Sequence, residues 1–239
     1  AGVLGFSACT TADFTIGIMQ AVEHDALSKA NMAFQEELSS LIEKDGYTVD
    51  YKYNNAQGNT DLISGGIETY INSSVDLIYT IATPAAQTAS GMSSGSGIPV
   101  IFNAVTDPVG DKIVASLEHS DTNVTGVSDI NPIADQVTLM QYLLGGSDDY
   151  SDFTVGVMYT TSEGNSQYQK NLVAKACAEK NIRCVEFGVS GINEISTQME
   201  AVKQAGIDIL YLPTDNLLAA NVNTVRSLNL SLELNLPIV

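Results

Sequence analysis

From Phe14 to Val239, short apolar runs rich in β-branched residues alternate with longer stretches of helical periodicity. The first half predicts strands at about 14–19, 48–53, 76–81 and 98–102. Helical patterns lie between them at 25–45, where Leu27, Ala30, Phe34, Leu38 and Leu41 share a face, and at 60–73 and 84–93. A further helix near 109–118 and a strand at 123–127 are expected next. The second half predicts strands at 153–159, 184–189, 207–212 and 236–239, alternating with helices near 165–181, 193–205 and 216–228. Continuous apolar strands joined through amphipathic helices make parallel sheets covered on both faces. Right-handed crossovers then give doubly wound, Rossmann-like α/β units.

The two halves repeat one plan. Phe14-Thr-Ile-Gly-Ile-Met19 recurs as Phe153-Thr-Val-Gly-Val-Met158, Asp76-Leu-Ile-Tyr79 as Asp208-Ile-Leu-Tyr211, and Ile98-Pro-Val-Ile101 as Leu236-Pro-Ile-Val239. Three segments in one order at a nearly constant offset indicate duplicated supersecondary structure. Turn signals at Lys44-Asp45-Gly46, Gly95-Ser-Gly97 and Gly145-Gly146 separate the elements. The expected organisation is a leader remnant and tether over 1–12, an N-terminal α/β domain over 13–128 and a C-terminal α/β domain over 129–239. The second copy stops at the equivalent of its fourth strand, so it reads as unfinished.

Composition narrows the partners. The 239 residues carry 28 acidic and 10 basic side chains, a net charge of −18. That excludes a protein that neutralises nucleic-acid phosphates or docks on anionic lipid through a basic patch. Apolar residues at 44% suffice for a packed core. No apolar run reaches the ~18 residues of a membrane span. At the start, Phe6-Ser7-Ala8-Cys9 resembles the lipobox at which lipoprotein signals are cleaved and the new terminal Cys is acylated, which makes Cys9 the candidate lipidation site. Cys177 and Cys184 fall where a helix ends and a strand begins; both a short disulfide loop and two unpaired thiols are open to them. With two histidines in the chain, no metal site and no cofactor are expected.

In open parallel sheets, ligands bind beyond the carboxyl ends of the strands. Two facing units therefore gather their strand-end loops around one cleft. Candidate ligand-binding residues in those loops are Gln20, Glu23, Thr83, Pro84, Ala85, Asn103, Thr106, Asp107, Ser162, Glu163, Asn165, Ser166, Thr214, Asp215 and Asn216. Thr83-Pro84 has the form of an N-cap with Pro at the first helical position, which aims free N–H groups and a dipole end at an anion; it equally reads as a plain helix start. Asp215 suits either an ammonium ligand or the cap of the next helix. Asp107 before Pro108 suits a second cation contact or an ordinary turn, and Ser162 to Ser166 a ligand cluster or a capping box.

Enzyme motifs fail on context. Gly91-Met-Ser93-Ser-Gly95 matches G-x-S-x-G, but it closes a helix instead of following a strand, so a Ser93 hydrolase lacks its nucleophile elbow. His24 and His119 lie in unrelated loops, and no dinucleotide or P-loop glycine pattern follows a strand.

The ordered motifs Gln20-x-x-Glu23-His24-x-Ala26-Leu27, Asn55-Ala-Gln57-Gly58, Ile81-Ala-Thr-Pro84-Ala-Ala-Gln87, Thr106-Asp-Pro-Val-Gly110, Asn123-Val-Thr-Gly126, Ser162-Glu-x-Asn165-Ser166 and Pro213-Thr-Asp-Asn216 span about residues 9–239. Together they resemble the substrate-binding lipoproteins of bacterial ABC importers, in the TrpX-like (tryptophan/tyrosine-binding) group; Asp25 departs from the Pro expected after the Glu-His pair. The resemblance implies a type I periplasmic-binding-protein fold and a monomer. It also implies capture of a small amino acid, often aromatic (Trp, Tyr or Phe), by hinge closure, with no enzymatic step. ABC permease subunits are then the partners, at the outer face of the cell membrane or in the periplasm. The helix start at Thr83 would take the α-carboxylate, Thr106 would add a hydroxyl and Asp215 would face the α-ammonium. A sensor domain on the same fold is the alternative.

Overall fold

The computed structural model describes residues 12–120, 122–144 and 153–239. Cys9 with its lipobox and the Gly145-Gly146 turn lie outside them. Five strands, β1 (Phe14–Gln20), β2 (Val49–Asn55), β3 (Leu77–Ile81), β4 (Val100–Val105) and β5 (Val124–Ser128), form one sheet in the order β2-β1-β3-β4-β5. Helices α1 (Asp25–Lys44), α2 (Thr60–Asn72) and α3 (Thr83–Ser93) connect them. A second sheet, β7-β6-β8, comprises β6 (Thr154–Thr160), β7 (Arg183–Val189) and β8 (Ile209–Tyr211). It packs with α4 (Ile133–Leu143), α5 (Gly164–Glu179), α6 (Ile195–Ala205), α7 (Asn216–Ala220) and α8 (Val222–Ser231). Every strand pair is parallel, and each lobe carries its own buried cores.

The sequence repeat has a structural cause. Asp76, before β3, accepts the Thr15 N–H at 2.7 Å and returns its own N–H to the Thr15 carbonyl at 2.8 Å. Asp208, before β8, does the same to Thr154 at 2.8 and 2.9 Å. One carboxylate in each lobe thus locks the register in which the third strand joins the first. The repeated strand glycine also has a packing reason. A Cβ on Gly17 would stand 2.6 Å from the Tyr70 ring, which lies flat on β1. The Tyr70 hydroxyl donates to the Ile18 carbonyl at 2.7 Å, and burial pushes its pKa up to about 12.

Three expectations change. No helix forms at 109–118. Lys112 takes φ +59°, and Ile113 and Val114 fold back so that both N–H groups donate to the Pro108 carbonyl, burying their side chains in the first core. A left-handed residue and two inward-turned apolar groups break the helical period. The last helix divides into α7 and α8 around Asn221. The segment 236–239 lies beside β8 where β4 lies beside β3, but it pairs over a shorter length than expected: Leu210 faces Ile238, the Leu210 and Leu212 N–H groups donate to the Pro237 and Val239 carbonyls, and Val239 N–H donates to the Leu210 carbonyl. The sequence reading also passed over α4, although Ile133, Val137 and Met140 sit at helical spacing and are buried.

Candidate functional site

The carboxyl ends of β1, β3, β4, β6 and β8 meet between the lobes and enclose two adjoining cavities, about 570 and 320 Å³. Both lie within the size range of small-molecule sites. The larger is walled by Val22, Ile63, Pro84, Ile192, Leu217 and Ala220, with polar groups from Glu23, Gln57, Thr160, Ser162, Glu163 and Asn216. The smaller holds His24, Asn103, Thr106, Asp129, Asn165, Thr214, Asp215 and Asn216. Burial lowers the pKa of His24, against the opposing pull of Glu23.

On the first lobe, β3 ends in a backbone irregularity. Ala82 has φ +79° and ψ 156°, a conformation that L-residues rarely adopt, and its N–H donates to the Asn103 carbonyl at 3.0 Å. Strain of this kind clusters at ligand clamps. It turns the chain so that α3 begins at Thr83-Pro84 with no side chain capping it. Thr83 is 1% exposed and its Oγ1 has no hydrogen-bond partner. An uncapped helix start beside an unused buried hydroxyl is suited to an anion. Ala104, at the end of β4, is also left-handed, with φ +56°, and is held there by its N–H on Asn103 Oδ1 at 2.8 Å.

On the second lobe, Glu163 precedes α5 yet does not cap it. It reaches to α7, accepting the Asn216 and Leu217 N–H groups, each at 3.0 Å, with amide bonds from Asn216 and Asn165 at 2.7 and 3.2 Å. Burial raises its pKa, repulsion from Asp215 raises it further, and the amide donors only partly offset both. A cation entering the larger cavity would relieve that penalty.

Asp215 takes the helix-cap role that its sequence left open. It is 1% exposed, and its carboxylate accepts from Thr160 N–H (2.7 Å), Thr160 Oγ1 (2.9 Å), Ser166 Oγ (2.5 Å) and Leu218 N–H (2.8 Å). With its lone pairs used inside its own lobe, it caps α7 and ties three loops together instead of meeting an ammonium group. Ser166 is consumed in the same network. Asp107 accepts the Gly110 N–H at 2.9 Å and lines neither cavity, so it initiates a turn. Gln20 is fully buried and braces the β1–α1 loop through Val22 O at 2.8 Å, while Ala85 is packed inside the first core. The cleft thus brings Glu23, Pro84, Ser162, Glu163 and Asn216 to the larger cavity, and Asn103, Thr106, Asn165, Thr214, Asp215 and again Asn216 to the smaller, while Thr83 lines neither.

Direct bonds cross between the lobes. Gln169 Nε2 donates to Thr106 Oγ1 at 3.3 Å, with both residues buried. Gly164 lies against the Asp111 carboxylate, so that a Cβ there would strike Asp111 Oδ1. Ile63, Gln57 and Ile192 are wall residues that sequence reasoning missed. Gln57 sat inside a quoted motif, whereas Ile63 reads as a core position of α2 and Ile192 opens a single 3-10 turn, and neither pattern reports an approach to the cleft.

Two doubly wound lobes closing over a cavity lined by an uncapped helix start and a half-buried carboxylate define a solute-binding protein. The match to the family described as ABC transporter substrate binding protein covers residues 15–238, and the chain belongs to that family. It is 35% identical over 210 residues to a tyrosine-binding protein of Clostridioides difficile, covering 88% of this chain and 59% of that relative's length. Among solved structures, it is 31% identical to an ABC domain from Streptococcus pneumoniae in complex with L-Trp, with a TM-score of 0.81 over 93% of this chain and 72% of that one. It is also 31% identical to the ligand-free, open structure of a substrate-binding protein from Clostridium difficile, with a TM-score of 0.60 over 94% of this chain and 73% of that one. At equal identity the chain superposes better on the liganded structure, which fits lobes drawn together around the cleft. Substrate-binding proteins of ABC importers work outside the cytoplasm, and no helix among the described residues is long and apolar enough to cross a membrane.

Proposed function

We propose that this chain captures a small amino acid for an ABC importer, with aromatic side chains preferred, and hands it on unchanged to the permease subunits. The observation that carries this reading is the larger cavity, with Pro84 at the uncapped start of α3 on one lobe, the unpartnered Thr83 hydroxyl just behind it in sequence, and the half-buried Glu163 on the other. The α-carboxylate binds at Thr83, and the α-ammonium faces Glu163. No aromatic residue among the described ones lines this cavity, and Ile63, Pro84, Ile192 and Leu217 supply the apolar walls for a bulky side chain. Both charged contacts form only when the lobes meet, so ligand binding stabilises the closed form that a permease can recognise. A lipid at Cys9 tethers the chain to the membrane. The tyrosine-binding relative and the L-Trp complex support the choice of ligand.

Calorimetry with the standard L-amino acids, a sugar panel and oligopeptides tests the proposal. Saturable heat with L-tyrosine or L-tryptophan is the expected result. Silence with every amino acid, together with tight binding of a sugar or peptide, overturns it.

A further inference from the structure

Helix α5 packs across β7, and the contact between them has two rungs. Lys170 Nζ reaches Glu186 Oε2 at 3.2 Å, which places Glu186 on the α5 face of the strand. Cys184 lies two residues before Glu186 and therefore shares that face. Cys177 lies seven residues, two helical turns, beyond Lys170 on α5 and therefore shares its helix face. The chain reverses between these elements: the Cys177 carbonyl accepts the N–H groups of Lys180 at 3.1 Å and Ile182 at 2.9 Å, and Asn181 takes φ +56°. The second rung is therefore Cys177 opposite Cys184. Both belong to one packed cluster, Cys177 fully buried and Cys184 partly buried at its edge, and both are free thiols.

We infer that Cys177 and Cys184 form a disulfide-closing pair, oxidised by thiol–disulfide exchange outside the cytoplasm, that fastens the end of α5 to the start of β7. The neighbouring thiol lowers the pKa of Cys184 and raises that of Cys177; the Lys170 ammonium favours the Cys184 thiolate further, while burial and Glu186 oppose it. Cys184, the more accessible and more acidic thiol, attacks a low-molecular-weight disulfide such as oxidised glutathione. Its S–H proton leaves, the small disulfide's S–S bond breaks, and one glutathione departs as a thiol. Cys177 then gives up its proton and attacks the Cys184 sulfur, forming Cys177–Cys184 and releasing the second glutathione. Two electrons pass from the protein thiols to the small disulfide. The bond closes a short loop remote from the α5 start at Gly164, so ligand affinity is unaffected.

The test incubates the folded chain with oxidised glutathione, alkylates with iodoacetamide in denaturant, and maps peptides without reduction. The expected result is a Cys177–Cys184 linked peptide, lighter than the two thiol peptides by two hydrogens. In C177S, which lacks the resolving thiol, a glutathione adduct should persist on Cys184. Recovery of both cysteines as alkylated thiols, or a stable Cys184 adduct in the parent chain, overturns the inference. An adduct on Cys177 but none on Cys184 overturns the order of attack.

Discussion

Thr160 and Asp215 are joined twice, by the Thr160 N–H to Oδ2 at 2.7 Å and by the Thr160 hydroxyl to Oδ1 at 2.9 Å. The pair fastens the end of β6 to the start of α7, which together form one wall of the cleft. Asp215→Asn substitutes an amide N–H₂ for an oxygen that accepts from buried donors. Leaving such donors unpaired should cost about 3 kcal/mol of stability, read as a lower urea midpoint. A loss below ~0.5 kcal/mol, the usual range for surface changes, would show that the network is not a tie.

Gly164 leaves room for Asp111 across the lobes. Gly164→Ala puts a methyl group where the Asp111 carboxylate sits in the closed form, and an open form has no such clash. The variant should bind its amino acid at least tenfold more weakly, a difference of about 1.4 kcal/mol, with small-angle scattering reporting an expanded shape at ligand concentrations that close the parent. Unchanged affinity would remove Gly164 from the closing surface.

Ala82 carries the strain at the mouth of α3. Since φ +79° suits glycine, Ala82→Gly should leave folding stability unchanged or raise it by up to about 1 kcal/mol. Relief of strain offsets the added freedom of the unfolded chain. Ala85→Gly, inside the same helix, should instead lose about 1 kcal/mol or more. Equal losses at the two positions, measured by denaturant unfolding, would contradict the strain.

Glu163, Asp111 and Asp129 all hold their protons more tightly in the folded chain than in the unfolded one, chiefly through burial. Folding then retains protons that the unfolded chain releases, so stability is highest below the ordinary carboxylate values of 3.8 and 4.5 and falls as pH rises through the elevated ones. Asp13 and Glu194, exposed and lowered by backbone hydrogen bonds, act in the opposite direction at lower pH. Melting temperature of the unliganded chain should therefore decline as pH rises from just above 4.5, and Glu163→Gln should flatten part of that slope. A steady rise over the same window would show these carboxyls to be solvated.

The fold was legible because duplication leaves local marks: Asp76 and Asp208 recur since each must lock a strand register, and Gly17 and Gly156 since each lies under a large side chain. Strand ends could be located for the same reason, which brought Glu163 and Asn216 to the cleft. The cap role of Asp215 was legible from its place before a helix, but its saturation was not, because the other donors come from Thr160 and Ser166, about fifty residues away in sequence. The absent helix at 109–118 turned on Lys112, whose left-handed backbone no periodicity reports. Likewise, the orphaned Thr83 hydroxyl depends on the twist at Ala82, and an alanine there gives no sign of it.

The chain contains no tryptophan, so added L-tryptophan is the sole indole emitter in solution. Titrating the chain into L-tryptophan while following its fluorescence is the most direct test of charge-paired amino-acid capture. The account predicts a saturable one-site change that L-tyrosine competes away and that neither tyramine, lacking the carboxylate, nor 3-(4-hydroxyphenyl)propionate, lacking the ammonium, displaces. No saturable change, or equal displacement by those two analogues, would contradict it.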